Sequence, residues 1–120
     1  MAKTVHNDVL DAALSKVATA TTLTVCSSAP ANFAGIAAVA LAEATMSSGD
    51  YTIADGDTSG RKVTVAAQAD MPVDETGTAT HIALDDGSTL LYVTECTSQA
   101  LASGNTVSTP AWDIEIADPA

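Results

Sequence analysis

Gly77 to Pro119, GTATHIALDDGSTLLYVTECTSQALASGNTVSTPAWDIEIADP, decides how this chain folds. Strand-like runs alternate with turn signals along it. THIAL (80–84) leads to DDG (85–87), then TLLYVTEC (89–96), SGN (103–105) and a closing strand through Trp112, Ile114 and Ile116. Runs of β-branched and apolar residues bounded by Asp, Gly, Ser and Asn are the pattern of strands joined by tight turns. Asp85-Asp86-Gly87 is a hairpin signature in its own right. In the closing strand Trp112, Ile114 and Ile116 alternate with Asp113 and Glu115, a half-buried pattern that sends two carboxylates to solvent. Such a segment builds a sheet and presents surfaces; it carries no catalytic constellation.

Working outward, the same rhythm continues. RKVTVAA (61–67) reads as a strand with Val63 and Val65 inward and Lys62 and Thr64 outward. Tyr51 to Ala54 and Thr21 to Ser27 are further strands. Met71 to Gly77 reads as a connection, with Pro72 suited to an edge or a turn. Phe33 to Thr45 is Ala-rich and helical by propensity. Gly35 near its start and the alternation of Val39 and Leu41 favour a loop followed by a strand. Ahead of the first strand, VHNDVLDAALSKVA places Leu10, Ala13, Leu14 and Val17 at helical spacing on one face. Asn7 or Asp8 is the expected cap, with Asp8 and Asp11 at the positive end of the helix dipole and Lys16 near the negative end. A helix this short is unstable alone, so its apolar face must dock on its own sheet or on a neighbouring subunit. The expected fold is mainly β: an antiparallel β-sandwich or small barrel with one short N-terminal α-helix, a single domain over 1–120 with the helix at about 5–18 and strands from about 21 to 117.

Totals narrow the function. A chain of 120 residues is one domain. It buries roughly 65% of its unfolded surface, enough for a modest core. Four aromatics, Phe33, Tyr51, Tyr92 and Trp112, are the large anchors available to packing or an interface. Fifteen acids against four bases give a net charge of −11. That balance opposes nucleic acid, whose phosphates need Lys and Arg, and opposes an anionic membrane surface. It suits a basic or neutral partner. Met1-Ala2-Lys3-Thr4 leads into a polar segment without the apolar core of a signal peptide, and the apolar run at Ile36 to Ala42 is too short to span a bilayer. The expected origin is the cytoplasm. Cys26 and Cys96 sit in strand-like runs and read as buried free thiols, not as a disulfide framework.

Local patterns with chemical meaning are few. Asp55, Asp57 and Ser59, followed by Gly60, match the opening of a calcium loop, but the twelfth position is Ala66, where a bidentate carboxylate is required. Asp, Gly and Ser are also what a β-turn wants, and the turn is the stronger reading. A nucleophile needs a base beside it. The histidines are His6, at a helix start, and His81, in a strand; a dyad of His81 with Cys26 or Cys96 has no orienting third group in its spacing. Asp85-Asp86 and Asp74-Glu75 fall at turns. The expectation is no catalytic residue, no cofactor and no metal.

The stretches SGRKVTV (59–65), GTATHIALDDGSTLLYV (77–93) and SGNTVSTPAWDIEIADP (103–119), with the VHNDVLDAAL opening (5–14), resemble a family of small virion proteins encoded among the structural genes of tailed bacteriophages. The GTATHIAL hairpin and the SGNTV that follows also resemble pieces of phage head-fibre and tail-associated β proteins. The resemblance implies a structural particle component without enzymatic activity or cofactor, and it carries no catalytic residues. The function it implies is a capsid decoration or cement protein that bridges major capsid subunits, self-associates, and resides in the virion after synthesis in the host cytoplasm. The alternatives are a tail, neck or head-fibre component, or a host- or carbohydrate-binding module. The expected contact residues are Leu10, Leu14 and Val17 on the helix, Phe33, and Trp112.

Overall fold

Among residues 4–118, which the computed structural model describes, nine strands and two short helices follow one another. They are α1 (Asn7–Val17), β1 (Thr22–Cys26), α2 (Ile36–Val39), β2 (Ala40–Thr45), β3 (Tyr51–Asp55), β4 (Arg61–Val65), β5 (Gln68–Pro72), β6 (Gly77–Asp85), β7 (Leu90–Leu101), β8 (Thr106–Thr109) and β9 (Trp112–Ile116). The strands form three antiparallel sheets in the orders β2-β1-β6-β7, β3-β4-β9 and β5-β8. The chain is mainly β with a short N-terminal helix, as its alternating pattern predicts.

One apolar cluster joins all three sheets and the helix. Leu23, Val25, Ile82 and Leu84 come from the first sheet, Val63, Val65 and Ile114 from the second, Met71 and Val107 from the third, and Leu14 from α1. Successive strand residues point to opposite faces, so Val63 and Val65 enter the core while Lys62 and Thr64 do not. β1 departs from simple alternation: Thr24 and Cys26, on the face away from the core, are also buried. The segment Phe33–Val39 explains this, because α2 packs against β1. The first sheet is therefore covered on both faces near its centre.

The helix is fixed from two sides. Leu14 is fully buried in the core. Outside it, the Arg61 guanidinium donates to Asp11 through Nε (2.7 Å to Oδ1) and Nη2 (3.4 Å to Oδ2), and to Asp55 Oδ1 through Nη1 (2.6 Å). The forked donor geometry of arginine lets one side chain hold α1 to the β3–β4 hairpin. These two carboxylates raise the affinity of Arg61 for its proton above its already high ordinary value.

Four expectations are corrected. The helix runs 7–17, and its cap is His6, whose Nδ1 accepts from the Asp8 amide at 3.1 Å, rather than Asn7 or Asp8. Phe33 to Thr45 is a compromise: a 3-10 turn (Phe33–Gly35), capped by Asn32 Oδ1 accepting from Gly35 N at 2.9 Å, then the single helical turn α2, then β2. The connection at Met71 begins inside a strand, since β5 reaches Pro72 and pairs Met71 with Val107 and Pro72 with Thr106. The closing segment is two strands: Pro110 and Ala111 separate β8 from β9, and the two enter different sheets. Proline has no amide hydrogen to give to a ladder, which accounts for the break.

Candidate functional site

The five side chains expected to contact partners lie in three different places. Leu10 is 7% exposed and Leu14 0%. Both are spent on the chain's own core, which corrects their assignment as anchors; helical periodicity reveals a buried face without revealing what buries it. Val17 is half-buried against the same cluster. Phe33 is 38% exposed on the outer face of the first sheet, where it borders a shallow groove with Asn32, Ser88, Thr89 and Leu90. Trp112 is half-buried, stacked on Tyr92 with ring centroids 6.0 Å apart and planes at 28°.

Trp112 borders a cleft of about 400 Å³ between β7 and the β8–β9 segment. Val25, Ile82 and Val107 supply its apolar lining, Thr94, Cys96 and Thr109 its walls, and Glu95, Gln99, Ser108 and Asp113 its polar rim. Its size falls within the usual range of binding clefts, ~300–1,000 Å³. Two of its lining residues, Thr109 and Trp112, carry buried polar atoms, Oγ1 and Nε1, without a hydrogen-bond partner among the described residues. A buried polar group left unpaired costs about 1–3 kcal/mol, so such groups call for a structural or functional explanation. β7 lines the cleft as an edge strand: β6 is its neighbour on one side, and among the described residues no strand pairs with its other side.

Asp113, on the rim, accepts from Thr64 Oγ1 (2.8 Å) and from Lys62 Nζ (3.4 Å). These two partners hold its carboxyl below the usual range. Glu95 has no ion-pair partner among the described residues. Cys96 is half-buried, and burial pushes its thiol up. Sequence reasoning found Trp112, weighed Cys96 only as a thiol, and missed Thr94 and Thr109. The available signal was the length of the run from Leu90 to Leu101, which carries one charge, Glu95, and neither lysine nor proline. Edge strands commonly carry such residues as guards.

The remaining chemical candidates resolve into structure. Asp55 pairs with Arg61 at 2.6 Å and Asp57 with Lys62 at 2.7 Å, while Ser59 Oγ accepts from the Asp118 amide at 3.2 Å. The three groups of the calcium-like turn thus serve three different partners, and Gly56 N donating to Gly60 O at 2.9 Å closes a hairpin. The amide of Asp57 donates to the Glu115 carboxylate across the same turn. Cys26 does stand opposite His81 in the β1–β6 ladder, and His81 opposite Glu95 in the β6–β7 ladder. The row is not an activated dyad. Burial, with Cys96 second, pushes the Cys26 thiol up to about 11, its Sγ donates to Thr24 O (3.6 Å), and His81 Nδ1 is engaged by Thr80 Oγ1 at 2.8 Å. The thiolate is the nucleophilic form, so a raised value works against it.

Asp85 and Asp86 hold the β6–β7 turn. Asp85 Oδ1 accepts from Gly87 N (2.9 Å), and Asp86 Oδ1 from Thr89 N (2.8 Å) and Ser88 N (3.0 Å). Those amides keep the Asp86 carboxyl below its ordinary value, the Thr89 amide foremost. At the other pair, Asp74 N and Glu75 N both donate to Leu41 O, at 2.7 and 3.3 Å. Comparison with protein-family models, curated proteins and solved structures finds no match to this chain.

Proposed function

We propose that this chain is a non-enzymatic structural component of a bacteriophage virion, a decoration or cement protein that bridges major capsid subunits. The sequence resemblance supplies the particle. The observation that carries an assembly role is the outer edge of β7, a strand of 12 residues with no backbone partner on that side among the described residues. Unpaired strand edges are templates for association. The body is elongated, 53 × 25 × 24 Å, which suits a joint between neighbours. Its action is mechanical: it buries surface across a seam and resists separation of the subunits. A stable bridge of this kind buries roughly 1,200 Å² or more in total.

Phe33 and Trp112 remain as contact residues on this reading, while Leu10, Leu14 and Val17 support the core that positions them. The net charge of −11 favours basic or neutral protein partners over nucleic acid or anionic lipid. No helix of the described residues is long and apolar enough to cross a membrane. Synthesis in the host cytoplasm and residence in the virion complete the proposal.

A tail, neck or head-fibre role is the second reading, favoured by the same elongated shape and free edge, which also suit a ring. A carbohydrate-binding role has less support: of the four aromatics, Phe33 alone is exposed, and a glycan platform needs exposed rings. Particles assembled with and without this chain separate the readings. Loss of the chain is expected to lower the temperature at which heads release their genome, with recovery when the purified protein is added back. Unchanged head stability together with defective tails or adsorption would replace the cement role by the second reading.

A further inference from the structure

The geometry points to strand addition: the cleft between β7 and β8–β9 receives an extended, lysine- or arginine-bearing polypeptide segment of a partner, which pairs with the outer edge of β7. Three observations converge. The first is the edge itself, which borders the cleft through Thr94 to Gln99 and carries backbone N–H and C=O groups without a strand on that side among the described residues. β8 and β9, on the far wall of the cleft, each pair with one strand among the described residues, β5 and β4, so each also has an unpaired edge. A slot beside an unpaired strand edge is shaped for an extended segment, which can pair with β7 on either side of the irregularity opposite Thr80.

The second observation is the pair of unsatisfied groups. Thr109 is 8% exposed, lines the cleft, and its hydroxyl has no partner among the described residues. The Trp112 indole N–H, at the same wall, is a donor without an acceptor among the described residues. A peptide carbonyl entering the slot as these side chains adjust supplies the missing acceptor. The third observation is charge. The ionisable rim groups are Glu95 and Asp113, both acidic. Asp113 is already engaged by Lys62 and Thr64, whereas Glu95 has no described cation. A second copy of this chain would bring its own charge of −11 to an acidic rim, so a basic segment of a different protein is the better complement.

The inference rests on the assembly reading only for the occupant being a polypeptide, and its test is independent of any particle. The isotope-labelled full chain is titrated with three synthetic nonapeptides: KTVTVTVTK, its counterpart with glutamates at both ends, and the lysine peptide with its alternate amides N-methylated along one edge. The lysine peptide is expected to move the resonances of Thr94 to Gln99 and Ser108 to Asp113, to shift the Trp112 indole N–H, and to slow hydrogen exchange along β7. The glutamate peptide is expected to bind about tenfold more weakly, and Glu95→Gln to narrow that gap. The N-methylated peptide keeps its charge but loses donors, so it is expected to lose the β7 protection. Equal binding by the parent and N-methylated peptides, shifts confined to other surfaces, or no shifts would overturn strand addition; equal binding by the lysine and glutamate peptides would overturn the basic occupant. Any of these failures leaves the assembly reading to its own test, since rigid docking elsewhere on the surface would still stabilise a capsid.

Discussion

Gly60 is the residue on which the β3–β4 turn depends. Its φ is +69°, in the region that side chains disfavour, and a Cβ there would lie 1.9 Å from Ile116 O. Gly60→Ala is expected to destabilise the chain by about 2–4 kcal/mol, because conformational strain adds to a backbone clash that no rotamer relieves; a denaturant midpoint unchanged from the parent would contradict the turn geometry. Titratable residues give a second residue-level prediction. Burial raises Cys26 to about 11 and Tyr51 to about 12, the latter aided by Asp50 and Asp85. Tyr51 also donates from its hydroxyl to Ala20 O at 3.0 Å. Both groups are neutral in the fold below their unfolded values near 9 and 10, so the stability they contribute is complete there and is lost as pH rises through about 11 and 12. Asp86 and Asp113 lie below their ordinary values, so their contribution is present above pH ~4 and is lost as pH falls further. Denaturation midpoints measured from pH 2 to 12 should therefore fall at both ends; a flat alkaline limb in the parent would contradict the burial of Cys26 and Tyr51.

At the scale of elements, α1 is a structural support of the fold. Leu14 is fully buried with Leu23 and Val65 in the same cluster, so Leu14→Ala is expected to cost about 2–5 kcal/mol. Thermal unfolding of that variant near the parent temperature would return the helix to the list of contact surfaces. The strands were legible where alternation is strict, as at Val63 and Val65 or at Ile114 and Ile116. β1 was legible as well, from the alternation of Thr21 to Ser27; what its pattern did not reveal is that α2 buries Thr24 and Cys26 on its second face. β8 escaped because Pro110 follows it so closely that SGN to Ile116 reads as one strand. β5 escaped because Asp70, at φ 55°, sits in an irregularity between Gln68 and Met71 that breaks its alternation. The helix cap escaped because histidine is not among the usual capping residues, Ser, Thr, Asp and Asn.

For the whole molecule, charge and edges determine which surfaces are fit for association. A net charge of −11 disfavours anionic polymers, while β7 leaves a long edge with one charge beside a cleft lined by residues whose polar atoms have no partner among the described residues. Part of this was legible in advance: Trp112 stood out as a rare aromatic in a half-buried strand. The cleft was not legible, because it depends on β7 and β8–β9 approaching each other without pairing, a tertiary relation that periodicity does not encode. Nor does helical spacing distinguish a face covered by the chain's own sheet from one awaiting a partner, which is why Leu10 and Leu14 look alike in either case. The virion reading joins that surface to the sequence resemblance, and a map of an intact particle tests it most directly. The account predicts density for this chain repeated over the head shell, seated across joints between major capsid subunits, with an extended partner segment beside β7. Absence of the chain from the particle, or its confinement to the tail, would contradict the cement role.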